Sequence, residues 1–162
     1  MNYHDITKCD MLNGSGLRVV LWVAGCSHCC PGCQNPVTWD PEDGVKFDAE
    51  SEKEMFDALR KEYISGLTFS GGDPLFIGNR EEITAIARDA RYMFPGKTIW
   101  CYTGYSWEDV KDLELMFYID VLVDGEYKEE FRDPKLHWVG SSNQRVIDVQ
   151  ESLKSGGVVL VS

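Results

Sequence analysis

Short, β-branched apolar runs alternate with segments of helical periodicity along most of this chain, and that alternation restricts the fold more than any other feature. Arg18 to Val23 is an apolar run of strand length, of the kind buried on both faces of a sheet. From Ser51 to Tyr63 the apolar positions Met55, Phe56, Leu59 and Tyr63 recur at helical spacing, with Ser51 and Glu54 placed as a capping box. Leu67 to Phe69 is a short strand, and Arg80 to Tyr92 a helix with Ile83, Ile86, Ala87 and Ala90 on one face, stopped by Pro95-Gly96. Thr98 to Tyr102 is the next strand, Ser106 to Leu115 a helix, and Asp120 to Asp124 a fourth strand; Gln144 to Val149 and Val158 to Val161 supply candidate later strands. Strand and helix in turn imply right-handed crossovers and a mainly parallel sheet, with functional groups at the carboxyl ends of the strands. The loops after Val23, Phe69, Tyr102 and Val123 should therefore share one rim. A closed eight-stranded barrel needs about 250 residues. This chain has 162, so the expected fold is α/β, an open partial (β/α) barrel formed as one domain over residues 1–162.

Composition narrows the function class. Sixteen Lys and Arg stand against 27 Asp and Glu, a formal charge of -11, with no basic stripe for a phosphate backbone, so a nucleic-acid partner is not expected. The longest apolar stretch, Val19 to Ala24, is far short of the roughly 18 residues of a membrane span. The N-terminus lacks a basic segment followed by an apolar one, so a cytoplasmic location is expected. In a reducing compartment six cysteines argue for metal or redox chemistry rather than disulfides.

Four of those cysteines, Cys26, Cys29, Cys30 and Cys33, fall within eight residues of a Pro- and Gly-rich loop just after the first apolar strand. Cys26, Cys30 and Cys33 form C-x-x-x-C-x-x-C, which places three thiolates where they can hold three irons of a 4Fe-4S cluster and leave the fourth open to a small molecule. The alternative, Cys26/Cys29 with Cys30/Cys33, is a pair of C-x-x-C motifs for zinc; zinc sites usually draw such pairs from separated segments, so spacing favours iron and sulfur. His28 is expected as an exposed loop residue rather than a ligand. Cys9 and Cys101 are expected as small buried apolar residues, and His4 and His137 have no assigned role. Trp22, Trp100 and Trp107 are expected in packing.

Cys26-x-x-x-Cys30-x-x-Cys33 directly after a strand resembles the radical S-adenosylmethionine superfamily, and Ser70-Gly71-Gly72-Asp73-Pro74 resembles that superfamily's glycine-rich motif. More narrowly, Asn13 to Leu21 leading into Gly25-Cys26, with Cys30-Pro31-Gly32-Cys33-Gln34-Asn35, is similar to the activating proteins of anaerobic ribonucleoside-triphosphate reductase. Tyr102 to Tyr105, Asp120 to Gly125 and Gly140 to Arg145 continue the likeness, which runs from about Asn13 to Ile147. Gly32 stands where most of the superfamily has an aromatic residue, and Gln34 where many relatives have His.

The resemblance implies a 4Fe-4S cluster on Cys26, Cys30 and Cys33 and S-adenosyl-L-methionine at the open iron. It implies reductive cleavage to a 5'-deoxyadenosyl radical, which removes a hydrogen atom from a glycine of the reductase's large catalytic subunit, with a low-potential donor such as a flavodoxin supplying the electron. On this reading Gly71 and Gly72 admit the methionine part and Asp73 orients their turn. Thr103 bonds its carboxylate, Asp124 the ribose, and the backbone of Gly32, Cys33 and Gln34 the adenine edge, while Arg145 faces cofactor or partner. Activation of another glycyl-radical enzyme, a small-molecule radical enzyme, and a non-catalytic zinc or iron-sulfur module are the alternatives.

Overall fold

A computed structural model describes residues 1–162. Its seven strands are β1 (Asn2–Asp10), β2 (Arg18–Val23), β3 (Val45–Lys46), β4 (Gly66–Gly71), β5 (Thr98–Tyr102), β6 (Val121–Asp124) and β7 (Arg145–Asp148). They form one sheet in the order β3-β1-β2-β4-β5-β6-β7. The central four, β2, β4, β5 and β6, are parallel and adjacent in chain order, whereas β1, β3 and β7 run antiparallel at the two sides. The sheet is mixed, parallel at its centre, and open.

Three helices accompany the crossovers: α1 (Ala49–Leu59), α2 (Arg80–Met93) and the short α3 (Trp107–Val110), followed by a 3-10 turn at Glu114–Phe117. Because the parallel strands follow one another in space as in sequence, crossovers of a single hand place these segments on one face. Val19, Leu21 and Val23 of β2, Leu67 and Phe69 of β4, Ile99 and Cys101 of β5 and Leu122 of β6 point to that face. There they join Met55, Leu59, Ile83, Ile86 and Ala87 in the main core, each large side chain contributing about 1.5–3 kcal/mol by burial. α4 (Val149–Ser155) closes the chain's regular structure and adds Val149 to the same core.

The alternate residues of the strands face the other way. Trp100, Val121 and Val123 make a small second cluster there, flanked by Tyr102, Trp138 and Val146. Beside it lies Arg18, fully buried. Its guanidinium uses all five N–H groups: Nε donates to Thr68 Oγ1 at 2.8 Å, Nη1 to Ser15 O and Thr98 Oγ1, and Nη2 to Leu67 O and Thr98 O. The charge lies 5.5 Å from the Trp100 ring centroid, a cation–π arrangement. Burial brings its pKa down to about 10. One side chain thus ties the loop before β2 to the amino ends of β4 and β5, a role that the sequence reading of Arg18 as a mere strand start missed.

Other differences have local causes. Asp48, not Ser51, caps α1: its carboxylate accepts from Ser51 N at 2.9 Å. α3 stops at Val110 because Leu113 is extended (φ -70°, ψ 143°), so the expected helix to Leu115 breaks into two turns. β1 was not foreseen, since Ile6 is its one core residue. Val158 to Val161 forms no strand, only a bridge from Leu160 to Ile147. No helix is long and apolar enough to cross a membrane.

Replacing Arg18 with Met would leave the carbonyls of Ser15, Leu67 and Thr98 and the hydroxyls of Thr68 and Thr98 short of a donor, and the expected cost is about 3 kcal/mol of unfolding free energy. Urea denaturation of the two proteins checks this; a loss under about 1 kcal/mol would show that the network is replaceable by apolar packing.

Candidate functional site

At the carboxyl ends of β2, β4, β5 and β6 the chain turns into loops that surround a cavity of about 650 Å³. The loop after β2 contributes Cys26, His28, Cys30, Cys33, Gln34 and Asn35, and the loop after β4 contributes Gly71, Gly72 and Asp73. Thr103, Gly104 and Gly125 follow from β5 and β6. The expected common rim is present.

The three cysteines of the C-x-x-x-C-x-x-C register all line this cavity. Cys29, the fourth, is exposed, lies outside the lining, and has a left-handed backbone (φ 49°). Cys33 N donates to Cys30 O at 3.1 Å, closing the turn between the last two thiols, and Asn35 N lies 3.4 Å from Cys33 Sγ. Desolvation pushes the Cys26 thiol up to about 11 and raises Cys30, which also faces the Glu126 carboxylate. Both are therefore neutral thiols without a cation, and binding metal would release their protons. No three His, Cys, Asp or Glu side chains converge closely enough to share one ion. A tetrahedral zinc site needs sulfurs about 3.8 Å apart, given Zn–S bonds of about 2.3 Å. A cubane cluster gives each thiolate its own iron, so its ligands need not converge on one ion.

The glycine pair sits where expected, for a reason the sequence did not show. A Cβ on Gly71 (φ +104°) would come within 2.5 Å of Val23 N, and one on Gly72 within 2.5 Å of Gly25 O. Both glycines are required by close packing against the end of β2 and the start of the cysteine loop. Gly72 N and Asp73 N donate across that contact, to Val23 O at 2.8 Å and Gly25 O at 2.7 Å. Asn79 Nδ2 adds a bond to Ala24 O.

Asp73 is buried and its carboxylate gathers the rim. Oδ1 accepts from Leu75 N and from the Thr103 hydroxyl; Oδ2 accepts from Gly104 N and lies 2.9 Å from His28 Nε2. An ionised carboxylate only accepts, so His28 Nε2 carries a proton here. The hydrogen bond to Asp73 raises the His28 pKa, against the opposing effect of burial. The expectation of an exposed His28 is thus corrected: its side chain is 10% exposed and its ring packs edge-on to Tyr105 at 4.6 Å.

Three further residues of the expected site have protein partners of their own. The Thr103 hydroxyl, on the cavity lining, gives its hydrogen to Asp73 and accepts from Tyr105 N, and so braces the turn. Asp124 is buried outside the cavity lining, accepting from Trp107 N and paired with Arg145, which also bonds Glu108. The hydrogen bond to Asp124 raises the Arg145 pKa, and Arg145 lies outside the cavity lining with its side chain 34% exposed. Gly32 (φ +75°) lies outside the lining with the Glu129 carboxylate against it, leaving Cys33 and Gln34 as the cavity's share of that turn.

Cys101 is buried as expected, but Cys9 is exposed on β1. Trp100 and Trp107 are core residues, while Trp22 lines the cavity and bonds Thr7 Oγ1. Sequence reasoning missed the far wall: Met11, Leu12, Tyr127, His137 and Trp138, with Tyr102 Oη donating to Trp138 O. Their only signal is aromatic and apolar residues in loops. Gln144, likewise missed, staples this wall through Gly140 N and Gly125 O.

Asp124→Ala is expected to cost about 2 kcal/mol by leaving Trp107 N without an acceptor and Arg145 with only the exposed Glu108 as its partner. Thermal or urea unfolding checks it, and an unchanged midpoint would refute a bracing role.

Residues 12–147 match the family model of the 4Fe-4S single cluster domain. Among similar proteins, the anaerobic ribonucleoside-triphosphate reductase-activating protein of Enterobacteria phage T4 is 49% identical over 146 residues, covering 90% of this chain and 93% of that protein. The protein of the same name from Escherichia coli strain K12 is 40% identical over 150 residues, 90% of this chain and 97% of its own. That from Vibrio cholerae is 40% identical over 148 residues, with 89% and 96% covered. A cluster-domain match over most of the chain, together with full-length relatives of one name, is what a rim of three cavity-lining thiols leads one to expect, and this chain belongs to the family of anaerobic ribonucleoside-triphosphate reductase-activating proteins.

Proposed function

We propose that the chain is a radical S-adenosylmethionine activase that installs a glycyl radical on the large catalytic subunit of an anaerobic ribonucleoside-triphosphate reductase. Residues 1–162 act as one such domain, with the open sheet as its partial (β/α) barrel. The observation that carries the reading is the selection made by the cavity: Cys26, Cys30 and Cys33 line it, Cys29 does not, and the glycine pair lies on the same rim. Cys26, Cys30 and Cys33 hold a 4Fe-4S cluster with one iron open.

A 4Fe-4S cluster held there by Cys26, Cys30 and Cys33 would, when reduced, supply the one-electron chemistry for reductive cleavage of S-adenosylmethionine and hence for hydrogen abstraction from the glycine. The chain's own residues bind and place. Gly71 and Gly72 present backbone to the methionine part, Cys33 and Gln34 border the adenine, and Asp73 with Thr103 keeps these turns in register. Asp124 acts at one remove, through Arg145 and Trp107. The apolar wall of Trp22, Tyr102, Leu136 and Trp138 lines the same cavity and excludes water from the reacting groups. A low-potential donor such as a flavodoxin delivers the electron, and a reducing cytoplasm suits six free cysteines.

Two measurements test this. After anaerobic reconstitution, Cys30→Ala is expected to lose the cluster while Cys29→Ala keeps about four irons per chain. Equal losses would place the ligands in another register. Mixed with the reductase, a reductant and S-adenosylmethionine, the wild-type protein should generate a glycyl-radical resonance on the large subunit; iron uptake without that signal would favour a non-catalytic cluster module.

A further inference from the structure

His28 carries the side chain of the cysteine loop that reaches furthest across the cavity rim, touching the loops after β4, β5 and β6 at once. Its ring enters a slot made for it. Gly104 forms the floor: a Cβ there would come within 2.6 Å of the ring carbon Cδ2 and within 2.8 Å of Nε2. Tyr105 forms one wall, edge-on at 4.6 Å. At the end of the slot Asp73 Oδ2 meets Nε2 at 2.9 Å, and at the outer side Glu126 Oε1 lies 3.4 Å from Nδ1. Four loops therefore meet at one imidazole, those after β2, β4, β5 and β6.

We infer that His28 is a positioning residue: seated in the Gly104 slot and bonded to Asp73, it locks the cysteine loop against the Gly71–Gly72 turn and so fixes where the cluster stands relative to the cofactor's methionine end. This rests on the functional reading above. The two chemical halves of the site, thiols on one loop and glycine backbone on another, must meet one small molecule together, and an error of about 1 Å in such placement costs up to a hundredfold. Backbone bonds Gly72 N to Val23 O and Asp73 N to Gly25 O fix only the root of the cysteine loop. His28, two residues beyond Cys26 and two before Cys30, fixes its middle. His28 itself holds no iron in this account.

Four variants separate positioning from bulk stability. His28→Ala empties the slot, His28→Phe fills it without a donor, His28→Gln restores a donor toward Asp73, and Gly104→Ala pushes the native ring out. Each is reconstituted anaerobically, assayed for iron, and titrated with S-adenosylmethionine while the resonance of the reduced cluster is followed. The expected result is iron retained in all four, cofactor affinity weakened at least about tenfold in His28→Ala, His28→Phe and Gly104→Ala, and largely recovered in His28→Gln, as loss and return of one charge-assisted hydrogen bond require. Amide exchange of residues 26–33 in the metal-free full chain should rise in the same three variants and not in the fourth. Titrations and exchange indistinguishable from wild type in His28→Ala and Gly104→Ala would overturn the proposal. A wild-type cluster whose resonance ignores S-adenosylmethionine would instead overturn the functional reading, while the exchange measurement still decides whether the clamp exists.

Discussion

The site depends on one buried carboxylate. Asp73 leaves β4 into the protein interior, and its two oxygens collect donors from its own turn at Leu75, from the turn after β5 at Thr103 and Gly104, and from the cysteine loop at His28. A buried charge is tolerated only when such bonds satisfy it, and that requirement fixes the relative positions of everything that donates. Three loops of irregular backbone, which would otherwise be the least ordered parts of the fold, are thereby held as one rim. The short-range requirement for Gly71 and Gly72 against β2 brings Asp73 to this place.

A second buried charge organises the opposite end of the strands. Arg18 satisfies carbonyls and hydroxyls at the amino ends of β4 and β5 and at Ser15, beneath the Trp100 ring. Gly66 makes room for it, since a Cβ there would come within 2.6 Å of Nη2. The face of the sheet not covered by helices thus has a polar network at one end and the cavity at the other, with Trp22, Ser70 and Tyr102 lining the cavity from the strands. Function sits on the carboxyl ends because the parallel strands deliver all four loops there.

How much of this was legible in the sequence follows from where burial is two-sided. The parallel strands were readable as apolar runs, and α2 as a stripe of Ile83, Ile86, Ala87 and Ala90, because each is dictated by the core it faces. β1 was not readable: it is an antiparallel neighbour held by its ladder to β2, and its polar residues carry no periodic signal. Cys9 came out exposed for the same reason, since it lies on that strand. In the site, the spacing of Cys26, Cys30, Cys33, Gly71 and Gly72 singled them out, and all five line the cavity. The protein partners of His28, Thr103 and Asp124 were not legible. Their bonds to Asp73 and Arg145 run to residues 21 to 45 positions away, and no local pattern records which side chain a buried carboxylate will choose.

The most direct test of the account is electron paramagnetic resonance of the anaerobically reconstituted, reduced protein, recorded with and without S-adenosylmethionine. A 4Fe-4S signal that changes when the cofactor is added is the predicted result, since three cavity-lining thiols leave one iron free to bind it. A signal indifferent to the cofactor, or a protein that keeps zinc and forms no cluster, would contradict it and make the cysteine loop structural.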